Sequence, residues 1–158
     1  MLRASRSAFP LLFIVLASLF LLIQGALPGC SFSDEDATAV GVVDMTAPQL
    51  SLAVSPTVLW PPNHKLVPVT VTVAAADVGN PSPALRLASI TSNEGELANG
   101  SGHTSPDIQD AQFGTDDRQF LLRAERRGFG PGRTYTITYE AGDANGNLTT
   151  RQVTVAVP

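Results

Sequence analysis

From Pro48 to the C-terminus, apolar and polar residues alternate with a period of two. Leu50, Leu52 and Val54 alternate with Ser51, Ala53 and Ser55, and Val67, Val69, Val71 and Val73 with Pro68, Thr70 and Thr72. This is the signature of strands with one buried face. Pro68 has no N–H to give a ladder, which places that end of its strand at an edge or bend. Leu85 and Leu87 flank Arg86, but Ile90 breaks their parity, so a bulge or strand end is expected near Ser89. Phe120, Leu122 and Ala124 face one way, with Arg123 and Glu125 facing the other. Tyr135, Ile137, Tyr139 and Ala141 alternate with Thr134, Thr136, Thr138 and Glu140, and Val153, Val155 and Val157 close the chain. No stretch after residue 30 carries a helical stripe.

Glycine, proline and asparagine punctuate these segments. Asp77 to Pro83 and Gly128-Phe129-Gly130-Pro131-Gly132 read as turns, and Asp143-Ala144-Asn145-Gly146-Asn147 contains an Asn-Gly pair suited to a tight hairpin. The pattern predicts seven strands near 48–55, 66–76, 84–91, 107–112, 118–126, 133–142 and 148–157. Strands polar on one face need a second sheet over the other, so the expected class is all-β, a Greek-key β-sandwich. Tyr135, early in the sixth strand, sits where a tyrosine corner would set its hydroxyl against nearby backbone.

The N-terminus has a different pattern. Arg3 and Arg6 precede an apolar run from Ala8 to Ile23, and Leu27-Pro28-Gly29 leads to Cys30, the chain's single cysteine. This is the order of a secretory signal, and the ending at cysteine resembles the lipobox of bacterial lipoproteins, whose thiol receives a diacylglycerol. The run is shorter than the about 20 residues needed to span a bilayer. A plain signal peptide cut elsewhere and an uncleaved anchor are the alternatives, and Pro28 is not the usual lipobox choice. The resemblance implies a signal-peptide helix over 1–29, a lipidated Cys30 opening a disordered acidic tether over 30–46, and a domain over 47–158. Ser31, where an Asp would suggest inner-membrane retention, points to the outer membrane of a bacterial cell envelope.

Without residues 1–29, about 130 residues remain, carrying eight Lys or Arg against fourteen Asp or Glu, a formal charge of −6. That is enough chain for one domain. The sign argues against nucleic acid as a partner and leaves a lipid anchor as the means of membrane attachment.

Leu59-Trp60-Pro61-Pro62-Asn63-His64-Lys65-Leu66-Val67-Pro68-Val69, Gly114-Thr115-Asp116-Asp117-Arg118, Leu122-Arg123-Ala124-Glu125-Arg126 and Tyr135-Thr136-Ile137-Thr138-Tyr139 together resemble a bacterial extracellular immunoglobulin-like domain. The ending with Asp143, Gly146 and Asn147 is similar to hyalin-repeat (HYR) modules. The resemblance covers about 46–158. It implies an immunoglobulin-like sandwich with a structural, adhesion or protein-interaction role, and it supplies no catalytic residues. Relatives often carry a cysteine in the turn that here reads Asp77-Val78-Gly79-Asn80-Pro81, and often occur as modules of large surface proteins.

Several residues carry candidate chemistry. Trp60 beside two prolines is expected to cap the core; the alternative is a recognition ledge for a sugar or peptide. His64 has only His103 as a companion imidazole, a thin basis for zinc. The irregular stretch Asn93 to Asp110 holds Glu94, Glu96, His103, Ser105 and Asp107. It is read as mobile or partner-binding, because no nucleophile elbow accompanies it. Asp116, Asp117, Asp143, Asn145 and Asn147 offer oxygen ligands that calcium favours, against ordinary turn chemistry. No other cofactor is indicated. Arg118, Arg123, Arg126, Arg127 and Arg133 are expected to pair with Glu125 and Glu140 across strands, the alternative being an anionic polysaccharide. The leading expectation is a non-enzymatic, membrane-anchored lipoprotein with a protein or glycan partner. A carbohydrate-binding sandwich using Trp60, Tyr139 or the Asn93–Asp110 stretch is the first alternative, and a small hydrolase the second.

Overall fold

The computed structural model describes residues 43–158. The residues read as a signal peptide, Cys30 and most of those read as an acidic tether lie outside them. Seven strands form: β1 (Gln49–Ser55), β2 (Leu66–Ala76), β3 (Ala84–Ser92), β4 (Ile108–Gln109), β5 (Gln119–Arg123), β6 (Arg133–Gly142) and β7 (Leu148–Val157). They make two antiparallel sheets, one ordered β1-β2-β5-β4 and the other β3-β6-β7. The all-β, two-sheet expectation holds, and no helix occurs among the described residues.

The inward positions are those the alternation selects. Val69, Val71, Val73, Phe120 and Leu122 from one sheet meet Leu87, Ile90, Tyr135, Ile137, Tyr139, Val155 and Val157 from the other, all buried. Each such aliphatic side chain contributes roughly 1.5–3 kcal/mol. Leu87 and Ile90 both face inward because the β3–β6 register slips between Leu87 and Ser89, leaving Ala88 as the bulged residue. Pro68 also lies where its chemistry allows. Val71 donates its N–H to Arg118, on the β5 side, so residues of even number in β2 turn their N–H toward β1. The β1 ladder ends at Ser55 opposite Thr70, and no partner remains at Pro68 to miss the donor.

Three expectations change. β4 shrinks to two residues because Pro106 precedes it and Asp110, at φ 60°, turns the chain out of the sheet. β5 stops at Arg123, where the Glu125 amide folds back onto the Arg123 carbonyl, and Glu125 is then fully buried rather than outward-facing. The last connection is a five-residue loop, Gly142 pairing Leu148, closed by Gly146 N–H donating to the Asp143 carbonyl. It is a longer turn than the Asn-Gly pair suggested.

The two tyrosines of the chain are completely buried on β6. Tyr135 donates to the Arg123 carbonyl at 2.9 Å, a tyrosine-to-backbone bond across the sandwich, and Tyr139 donates to the Asp117 carbonyl. Burial pushes both hydroxyls up to about 12, although the Arg133 guanidinium pulls against it at Tyr135. A phenol whose folded value is raised adds stability below its unfolded value near 10 and loses it as pH climbs toward 12. Each tyrosine therefore withdraws on the order of 2–3 kcal/mol across that window. Absorbance titration should show both phenolates emerging together in one unfolding step above pH 10. Ionisation near pH 10 with the far-UV signal intact would contradict their burial.

Candidate functional site

The sandwich has two unlike ends. The near end, where the chain enters β1, carries residues 43–48 and the turns 77–83, 110–118 and 143–147. The far end carries residues 56–65, 93–107 and 124–132. Trp60, His64 and His103 all fall at the far end, and the candidate calcium residues all fall at the near end.

Trp60 does not cap the core. It is 67 % exposed, and the inward place belongs to Leu59, at 1 %. Val58 makes a parallel bridge to Ala156, and Leu59 donates its N–H to the Ala156 carbonyl at 2.8 Å. Alternation around that short pairing buries Leu59 and turns Val58 and Trp60 outward. Pro61 and Pro62 then hold the backbone beneath the indole, with Asn63, His64 and Lys65 exposed after it. Tyr139, by contrast, is fully buried and cannot belong to a sugar ledge.

His64 is held in a left-handed conformation, φ 63°, its N–H donating to the Ala124 carbonyl and its C=O accepting from Arg123 Nη1 at 2.7 Å. Such backbone costs of order 1 kcal/mol and persists where neighbours over-determine it. Its Nδ1 lies 2.8 Å from Oε2 of buried Glu125, which also accepts from Thr104 Oγ1. With its proton on Nδ1 the ring donates to the carboxylate and leaves Nε2 as the free ring nitrogen. Gly102 is required here, since a Cβ on it would run into the His64 ring. The hydroxyl of Thr104 bonds to the carboxylate and not to the imidazole, so this is no nucleophile–histidine–acid relay. Among the described residues, neither histidine joins a group of three metal-ligating side chains.

The stretch read as mobile is tied down at both ends by one guanidinium. Arg133, fully buried, bonds Asp107, donates to the Gly95 carbonyl at 3.3 Å and lies 3.6 Å from Glu94. It also stands 5.7 Å from the Tyr135 ring centre and donates to its hydroxyl. Glu96 staples the loop internally, accepting from Ser105 Oγ and the Asp107 amide. Arg123 adds a second cation 3.4 Å from Asp107 and bonds the Pro106 carbonyl. Burial pushes the Asp107 carboxyl up from its ordinary value, while the hydrogen bond and charge of Arg133 draw it back. The arginines therefore pair otherwise than expected: Arg123 and Arg133 with Asp107, Arg118 with Asp116 two residues away, and Glu140 with Arg86 on β3.

At the near end, Asp116 is engaged by Arg118, and Asp117 accepts from the Gln112 and Gln119 amides. The calcium candidates thus divide between two loops. Asp143 instead converges with Asp44 and Asp77, which sequence spacing did not reveal, with carboxylate oxygens within 4.8 Å of one another. Burial opposes the Asp143 charge, but the side chain of Asn147 and the amides of Asn147, Asn145 and Gly146 hold its carboxyl below the ordinary value. Asn147 points its Nδ2 donor, not its oxygen, at Asp143 and the Asp44 carbonyl.

No protein-family model, curated protein or solved structure gives a match to this chain.

Arg133→Met should strand Asp107 and Glu94 in the interior and cost about 3–5 kcal/mol in chemical denaturation. Adding Asp107→Asn and Glu94→Gln should recover much of that loss; a single variant as stable as the parent would refute the ionic tie. Asp77→Asn keeps the acceptor for the Val78 amide and removes one of three crowded charges. It should raise Tm by a few degrees at low salt, with the gain shrinking as salt screens the other two. A lowered Tm at low salt would refute the repulsion.

Proposed function

We propose that this chain is a non-enzymatic bacterial envelope lipoprotein, anchored through Cys30, whose immunoglobulin-like domain is a binding module for a protein or glycan partner. The observation that carries the binding reading is the exposed Trp60, set by its prolines on the end of the sandwich opposite the start of β1. An indole in water at a rigid, polar-flanked position is an apolar surface available to a partner. The immunoglobulin-like reading is supported by the sheet orders β1-β2-β5-β4 and β3-β6-β7, which correspond to ABED and CFG of a constant-type domain. The Tyr135 hydroxyl bonded to main chain supports it too. The anchoring reading is supported by the order of charged, apolar and small residues before Cys30.

Intact mass measurement of the membrane-fraction protein should give a chain beginning at a diacylated Cys30, and Cys30→Ser should move the protein to the soluble fraction. A mature chain keeping residues 1–29 would overturn the anchor. Retention of the purified chain on immobilised envelope glycans and proteins should fall about tenfold in Trp60→Ala. It should be unchanged in Val78→Ala, at the near end, where Val78 is 98 % exposed. Equal retention of the two variants would overturn the module.

A further inference from the structure

We propose that the far end binds an acidic glycan, a polysaccharide bearing carboxylate sugars. This rests on the binding-module reading and names its ligand.

Charge is sorted along the domain in a way its net value conceals. Asp44, Asp77 and Asp143 gather at the near end, with Asp116 and Asp117 in an adjoining turn. At the far end the acids Glu94, Asp107 and Glu125 are buried; Arg133 and Arg123 pair with the first two, and the exposed His64 ring bonds Glu125. The cations left over are Lys65, Arg126 and Arg127, none of which enters an ion pair among the described residues. The exposed acid nearby, Glu96, is already engaged by Ser105 and the Asp107 amide.

These cations adjoin the Trp60 loop. The Ala124 amide donates to the Lys65 carbonyl and the His64 amide to the Ala124 carbonyl, so residues 63–65 run antiparallel against 124–126. Arg126 is part-exposed and bonds only the Arg127 carbonyl through Nη1, and Arg127 itself is exposed. Exposed guanidinium and ammonium groups without an acidic partner are met best by an anionic oxygen. A sugar acid supplies both halves of the match, a carboxylate for the cations and a flat C–H face for the indole. An acidic peptide supplies the charge without the flat face.

The full chain in detergent micelles, titrated with alginate oligosaccharide, neutral dextran and polyglutamate, tests this through the emission of Trp60, the single tryptophan. Alginate should shift the emission to the blue and bind less tightly as salt rises. Calorimetry should show about tenfold weaker alginate binding in Trp60→Ala and in Arg126→Glu/Arg127→Glu. Arg127→Glu alone carries that arm if the double variant fails to fold. Dextran binding as tightly as alginate would overturn the acidic ligand while sparing the module. Polyglutamate matching alginate, with Trp60→Ala unaffected, would point to an acidic protein and overturn the glycan. No response to alginate overturns the proposal outright, while the Trp60→Ala retention assay judges the module separately.

Discussion

A fully buried guanidinium, Arg133, organises the far end of this sandwich. It opens β6, touches the loop that leaves β3 at Glu94 and Gly95, and touches the same loop again at Asp107 just before β4. A long connection without strands has backbone groups that a β ladder cannot satisfy. Here charged side chains hold the two ends of that connection together over the tyrosine core. Removing such ions from water offsets most of their mutual attraction, so the network fixes one loop conformation more than it adds net stability. The rest of the surface follows: the Arg123 side chain grips the His64 and Pro106 carbonyls, and His64 in turn marks the end of the Trp60 loop.

The frame of the fold was legible because its strands bury one face each. Alternating Val69, Val71 and Val73 and alternating Tyr135, Ile137 and Tyr139 announce both period and inward face, and the parity break at Ile90 announces the bulge. Strand bounds were legible to within a residue or two wherever glycine, proline or asparagine stopped the pattern. They were least legible at β4, where the sheet contact is two residues long and a left-handed Asp110 ends it.

The site was less legible, because its logic is tertiary. Alternation alone cannot say which of Leu59 and Trp60 enters the core; the short pairing of Val58 with Ala156 from the opposite end of the chain decides it. Likewise Glu125 lies on the polar parity of its strand, yet the strand ends two residues earlier and the backbone turns it inward beneath His64. Five arginines close in sequence looked like one cluster. Folding divides them into the structural cations Arg123 and Arg133, a surface pair of Arg118 with Asp116, and Arg126 and Arg127 without an acidic partner, a distinction that depends on Asp107 and Glu94 arriving from another loop. A charge pattern in sequence reports totals; only three-dimensional pairing reports what remains for solvent or a partner.

That remainder gives the domain its polarity. The chain enters at the acidic end, where Asp44 and Asp143 are bridged by the Asn147 side chain, and the aromatic and unpaired basic residues lie at the opposite end. Long-range attraction falls off over about 8 Å at physiological salt, less than the roughly 30 Å length of a ten-residue strand. A ligand near Trp60 is therefore governed by Lys65, Arg126 and Arg127 and hardly feels the aspartates at the other pole. Net charge, which argued against nucleic acid when read from composition, is the wrong quantity for this surface. The local balance left after the buried pairs are subtracted is the one a partner meets.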